Sequence, residues 1–305
     1  MRVGFLTVCL RKVPLVEVFR WAAKVGFGAL EVWAATADED RNLTIGPALN
    51  ASRVTGRSAG EVLGWVAETG VQVSCLTQCT NLLDADEKAR ARRLADFKKV
   101  IQAAAHLGVP TVSGFVGRNV ELTIAENVAL AAKVFKPLLR YAAERGVRIA
   151  IENCPMPGWQ FEGLAGNIAY SPWVWDMLYE RLPEDNFGLN LDPSHLYWLG
   201  VDYLAVVEDY ADRIFHVHAK DTEIDDGALE HKGSLLGGGW WRYRIPGMGD
   251  IDWPAFISRL YEVGYGGALS IEHEDPVWAG SEEKVKEGLV LGGRFLKQFV
   301  ATERL

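Results

Sequence analysis

Four apolar runs in the second half of the chain end in groups that can bind a cation or move a proton. RIAIEN carries Glu152, and GLNLDPSH carries Asp192 and His195. FHVHAKD carries His216, His218, Lys220 and Asp221, and LSIEHED carries Glu272, His273, Glu274 and Asp275. A carboxylate that closes an apolar run is costly to bury unless it is paired or binds a metal. Each of these acids, taken singly, also reads as a rim salt bridge. Glu152, Asp192, His218 and Glu272 are separated by 40, 26 and 54 residues, spacings that successive strand–helix units produce. The last spacing contains an insertion. Three carboxylates and one imidazole form a hard, oxygen-rich set that suits Mn²⁺ first, and Mg²⁺ or Co²⁺ as well, with positions left for substrate oxygens.

Such a set needs a scaffold that brings four distant segments to one place. Short β-branched or apolar runs alternate with amphipathic stretches along the chain. Strands are predicted over residues 2–9, 29–33, 72–77, 111–116, 147–153, 187–192, 214–219 and 268–273. Helices are predicted over 14–25, 58–68, 84–106, 123–145, 171–182, 202–213, 251–263 and 281–300. Strands alternating with helices imply a parallel sheet. Eight units in 305 residues, with no composition break, predict a single (β/α)₈ TIM barrel over residues 1–305, with a long insertion after strand seven. The first turn, CLRKVP, lacks the glycines of a dinucleotide-binding open sheet. In a barrel, residues at the C-terminal strand ends share one rim.

The composition narrows the partners. Lys and Arg number 32 against 40 Asp and Glu, a net charge of −8, and 49% of residues are hydrophobic. That balance excludes disorder and argues against nucleic acid as the main partner. No signal peptide and no apolar stretch of membrane length is read from the sequence, so no membrane partner is expected. Cys9, Cys75, Cys79 and Cys154 are scattered and build no zinc cage. A cytoplasmic location with reduced thiols is the expectation.

IAIEN, LNLDPSH, HVHAKD and SIEHED, in this order on strands five to eight, resemble the xylose isomerase-like TIM-barrel superfamily. That group contains sugar isomerases and epimerases, including ketose 3-epimerases and inosose dehydratases. YRIPGMGDIDW and VSCLTQCTNLLD also look like it. The resemblance places the family's metal ligands on Glu152, Asp192, His218 and Glu272, and its substrate-contacting histidine on His195. The epimerases carry a substrate-binding arginine six residues after the metal histidine. Position 224 here is Ile224, which leaves Arg244 or Lys220 as replacements.

The chemistry follows from the residue types. A divalent metal stabilises the enediolate formed when a proton leaves a carbon beside a carbonyl. Glu152 and Glu272, on strands five and eight, are the candidate catalytic bases. Epimerisation, aldose–ketose isomerisation and elimination share that first step. The expected function is therefore a metal-dependent isomerase or epimerase of a ketose or keto-sugar. The alternative is a lyase acting on a 3-keto-glycoside or keto-inositol. An abasic-site endonuclease and a non-catalytic sugar-binding protein rank below both. His216 reads as packed support one layer deeper than His218, His273 as pointing outside the barrel, and Glu31 as an internal salt bridge or support residue. Lys220 shares the face of His218 nearer the rim.

The insertion, residues 222–250, holds Gly237, Gly238, Gly239, Trp240 and Trp241 and reads as a lid or subsite wall. Trp33, Trp240 and Trp241 are expected substrate contacts, with Trp159, Phe161 and Trp278 nearby in rim loops. Trp198 has no assignment from sequence. The expected partner is a small carbohydrate, and a homodimer or homotetramer is possible.

Overall fold

The structure is a computed structural model that describes residues 1–36, 49–56, 58–156, 165–234 and 238–301. The alternation of apolar and amphipathic segments resolves into eight parallel strands. These are β1 (Arg2–Leu6), β2 (Ala29–Ala35), β3 (Gln72–Thr77), β4 (Thr111–Gly114), β5 (Arg148–Glu152), β6 (Phe187–Leu191), β7 (Ile214–Ala219) and β8 (Ala268–Ile271). Each pairs with the next, and β8 returns to β1 from Arg2↔Ala268 to Phe5↔Ile271, closing the barrel. The expected TIM barrel is present.

The helices are α1 (Leu15–Val25), α2 (Ala59–Thr69), α3 (Glu87–Leu107), α4 (Ile124–Ala143), α5 (Pro172–Arg181), α6 (Pro193–Trp198), α7 (Tyr203–Asp209), α8 (Asp226–Lys232), α9 (Trp253–Glu262) and α10 (Glu282–Leu296). Their limits have local causes. Asp86 caps α3 by accepting from the amides of Lys88 and Ala89, and Gly108, at φ +67°, ends it in the left-handed region. Thr123 and Glu126 form a reciprocal capping box on α4.

Strand β1 is shorter than predicted. It gives way to a 3₁₀ turn, Thr7–Cys9, in which the Thr7 hydroxyl accepts from the Trp33 amide. Several elements were not predicted, α8 among them, and two of these adjoin the site. The short helix α6 starts directly at Asp192, and the insertion forms an antiparallel pair, Asp221–Ile224 with Trp241–Arg244.

The strands have two faces with different contents. Val217 on β7 and Ile149 and Ile151 on β5 belong to the apolar core shared with the helices. His216 and His218 alternate with Val217 and turn to the other face. Beside them lie buried Glu31, Thr77, Ser113, Asn190 and Ser270. The barrel interior is therefore polar where the site lies.

Candidate active site

The strand ends bring the four expected metal ligands together. His218 Nδ1 lies 3.7 Å from Glu152 Oε1, 3.7 Å from Asp192 Oδ2 and 3.2 Å from Glu272 Oε2. Asp192 and His218 are fully buried and Glu152 is nearly so. His218 Nδ1 and Asp192 Oδ2 are buried with no hydrogen-bond partner. His218 Nδ1 and Asp192 Oδ2 face each other across two more carboxylates, with the Lys220 ammonium 3.2 Å from Asp192 Oδ2, and this oxygen-rich donor set fits a divalent cation. Glu152, Asp192, His195 and Glu272 also offer ligand atoms within 4.8 Å of one another.

Neighbouring groups lock the set. Asp192 uses Oδ1 to accept from the Ser194 amide at 2.8 Å, capping α6 and leaving Oδ2 free to turn inward. Asn153, next to Glu152, donates to the Asp192 carbonyl and accepts from the Asp192 amide, at 2.9 and 2.7 Å. That pair ties the ends of β5 and β6. The Glu31 carboxylate lies 3.0 Å from His218 Nε2 and accepts from the Thr77 hydroxyl. Glu31 thus stands behind the histidine rather than in front of it. His216 supports from below, with Nδ1 3.1 Å from Asn190 Oδ1 and Nε2 3.0 Å from Ser74 Oγ.

Lys220 is almost completely buried, and its ammonium is 2.6 Å from Glu272, 3.1 Å from Glu274 and 3.2 Å from Asp192. His195 Nε2 lies 3.2 Å from the same ammonium and 3.7 Å from Glu152 Oε1. Glu152, His195, Lys220, Glu272 and Glu274 open onto a cavity of about 1060 Å³ also lined by Trp33, Cys79, Phe115, Cys154 and Tyr243.

The electrostatics separate the two glutamates. Burial opposes ionisation of Glu152, but His218, His195 and Lys220 hold it below the usual carboxylate range. Glu272 goes the other way: burial raises it, and Glu152 and Glu274 add to that against Lys220 and His218. Burial works against Asp192 too, and Lys220 and His195 more than reverse it. Carboxylates pushed in opposite directions are a hallmark of acid–base pairs.

Not every expected contact reaches the cavity. Arg244 is committed to Asp275, at 2.9 Å from Nε, and to Glu223. Trp240 is buried, and Trp241 stacks on Trp198 at 4.3 Å. Trp198 thereby receives its place, as the platform for the hairpin. Trp278 lies with Trp21 in a separate surface groove against α10. His273 has Nε2 beside Gly288 of α10, and the residue also lines the edge of the cavity, which its expected outward position did not imply. Trp159, Phe161 and Gly237 lie outside the described residues. The insertion therefore presents Tyr243, not its tryptophans, to the site. Sequence reading missed Tyr243, Asn153 and the position of Glu31 behind His218. Only Asn153 had a local signal, its place directly after a strand-end glutamate. No helix among the described residues is long and apolar enough to cross a membrane.

Comparisons with known proteins agree with the barrel fold. Residues 19–297 match a family described as "Xylose isomerase-like TIM barrel". A curated relative, the uncharacterized protein YfiH of Bacillus subtilis (strain 168), is 26% identical over 299 residues, covering 90% of this chain and 93% of that protein. An inosose dehydratase of Lacticaseibacillus casei is 33% identical over 112 residues, 35% of this chain and 38% of that enzyme. A solved D-psicose 3-epimerase, in the presence of D-fructose, superposes with a TM-score of 0.71 at 14% identity, covering 98% of this chain and 99% of that one.

Proposed function

The chain belongs to the xylose isomerase-like TIM-barrel family, and on that footing we propose that it is a divalent-metal-dependent isomerase or epimerase of a ketose or keto-sugar. The observation that carries this reading is the buried convergence of three carboxylates on one imidazole nitrogen, His218 Nδ1 lying 3.2–3.7 Å from Glu152, Asp192 and Glu272. Glu152, Asp192, His218 and Glu272 would hold the ion, with Mn²⁺ the best match to three oxygens and one nitrogen. When bound, the ion supplies Lewis-acid stabilisation of charge that develops on a substrate oxygen.

The protein's own groups supply the rest. Glu152, kept ionised by its cationic neighbours, is the base that takes a proton from the carbon beside the carbonyl. Glu272 is the second proton-transfer group and returns a proton to the substrate. Return to the same carbon inverts it, and return to the adjacent carbon moves the carbonyl. Lys220 and His195 hold the substrate oxygens that gain charge. Trp33 and Phe115 supply apolar surface for the sugar ring.

Elimination is the second reading. The observation favouring it is the buried Lys220 ammonium, which donates toward His195 Nε2 at 3.2 Å and is a proton donor suited to a departing hydroxyl or alkoxide. The relative named an inosose dehydratase supports it. The deciding experiment incubates the Mn²⁺-loaded protein in D₂O with a panel of ketoses, 3-keto-glycosides and keto-inositols. Deuterium incorporation at unchanged carbon skeleton is expected for the first reading, and loss of water or an aglycone for the second. Absence of exchange and of product with every compound overturns both.

A further inference from the structure

We infer that Tyr243 is a positioning residue of the site, and that the strand pair after β7 serves as a fixed arm that holds its hydroxyl on His195. The inference rests on the proposed reading in one respect, that His195 Nε2 faces the substrate.

The contact itself is well formed. The Tyr243 hydroxyl lies 3.0 Å from His195 Nδ1, and the two rings meet edge to face at 5.4 Å and 85°. The Lys220 ammonium sits 4.5 Å above the centre of the Tyr243 ring. One side chain thus touches both cationic groups that flank the carboxylates. A phenol both donates and accepts, so it can bond Nδ1 whether or not that nitrogen carries a hydrogen. The opposite nitrogen, Nε2, then stays turned toward Glu152 and Asp192, at 3.7 and 3.5 Å.

The arm is docked along the helix that carries His195. Tyr243 pairs with Thr222 across the antiparallel ladder. The Thr222 hydroxyl donates to the Ser194 carbonyl at 3.0 Å, one residue before His195. Trp241 stacks on Trp198, three residues after His195. Three contacts from one strand pair therefore reach α6 at Ser194, His195 and Trp198. Behind the arm, Asp275 takes hydrogen bonds from Arg244 Nε and the Ile245 amide at 2.9 and 3.0 Å. Asp221 accepts from the amides of Thr222, Gly247 and Ile251 and from Trp253 Nε1 at 2.9–3.1 Å. These two buried carboxylates account for Arg244 and for the acidic ends of HVHAKD and SIEHED. A strand pair fastened at both ends cannot act as a free lid. Its one side chain at the cavity is Tyr243.

The test is Tyr243→Phe in histidine-labelled protein, read by imidazole ¹⁵N resonances. The chain has six histidines, so His195 is assigned by its loss in His195→Gln. The expected result in Tyr243→Phe is a shifted and broadened His195 signal, with His216 and His218 signals unchanged and Mg²⁺ affinity retained. Deuterium exchange into the responding sugar should slow by about tenfold in kcat with little change in KM. Trp241→Leu, which loosens the arm without touching the cavity, should move the same resonances less, and it serves if Tyr243→Phe does not fold. An unchanged His195 signal in both variants overturns the inference. If the unaltered protein exchanges no sugar, the proposed reaction fails, and the resonances still decide the role of Tyr243.

Discussion

Glu31 and His218 lie 187 residues apart in the chain and meet at 3.0 Å inside the barrel. An ionised carboxylate only accepts, so His218 Nε2 carries a hydrogen, and Nδ1 is the nitrogen turned toward Glu152, Asp192 and Glu272. Burial alone would raise the Glu31 carboxyl, but His218 and His216 draw it down to about 2, so it stays ionised behind the ligand. A carboxylate behind a ligating imidazole fixes its tautomer and strengthens it.

The first prediction concerns that carboxylate. Glu31→Gln keeps an acceptor for Nε2 but removes the charge, and Mn²⁺ affinity should fall about 10–100-fold. Glu31→Ala should weaken binding further. Competition against a chelator measures both, and equal affinity in all three proteins removes Glu31 from this role.

The two glutamates at the cavity should be separately indispensable. Glu152→Gln and Glu272→Gln keep shape while abolishing a base, so each should slow deuterium exchange by at least about a hundredfold. The measurement is exchange at saturating metal. A variant that exchanges at the normal rate leaves its residue out of the proton transfers.

Lys220 should offset part of the negative charge of the carboxylate cluster, being ion-paired to Asp192, Glu272 and Glu274. Lys220→Met leaves Asp192 and Glu272 buried beside fewer positive groups, which should cost about 3–5 kcal/mol in metal-free protein. Divalent ions should restore more stability to the variant than to the unaltered chain. Thermal melts with and without Mg²⁺ test this, and equal gains in the two proteins contradict it.

His216 gives the metal-free protein an acid-side sensitivity. Burial pushes its imidazole down from 6.5 to about 4, and the neighbouring His218 adds to the effect against the pull of Glu31. The unfolded chain therefore binds a proton below 6.5 that the folded chain refuses until about 4. This contribution is intact above that window and declines as pH falls through it, by about 1.4 kcal/mol per pH unit. The His216 ring resonances should stay those of a neutral imidazole between about pH 7 and pH 5. A midpoint near the ordinary histidine value contradicts the prediction.

Much of the site was legible because its signals are local. Glu152, Asp192, His218 and Glu272 each end an apolar run, and in a barrel such ends converge. The strands over 72–77 and 214–219 have the bounds their composition implied. Tyr243 and Glu31 were not assigned these roles, because each acts through a partner far along the chain. Tyr243 reaches His195 across 48 residues, through an antiparallel register that its own sequence does not specify. Arg244 and Trp241 looked like substrate contacts because an exposed loop would offer them to the cavity. Asp275 and Trp198 take them instead.

The sequence by itself determined the eight-fold alternation, the family resemblance and the four strand-end groups, Glu152, Asp192, His218 and Glu272, that converge in the barrel. All three depend on periodicity and on residue type within a few positions. Only the tertiary structure decided which nitrogen of His218 faces the cavity, what holds it there, and which side chain of the insertion enters the site. Those depend on barrel closure and on competition among buried polar groups for partners, and such partners are neighbours in space without being neighbours in sequence.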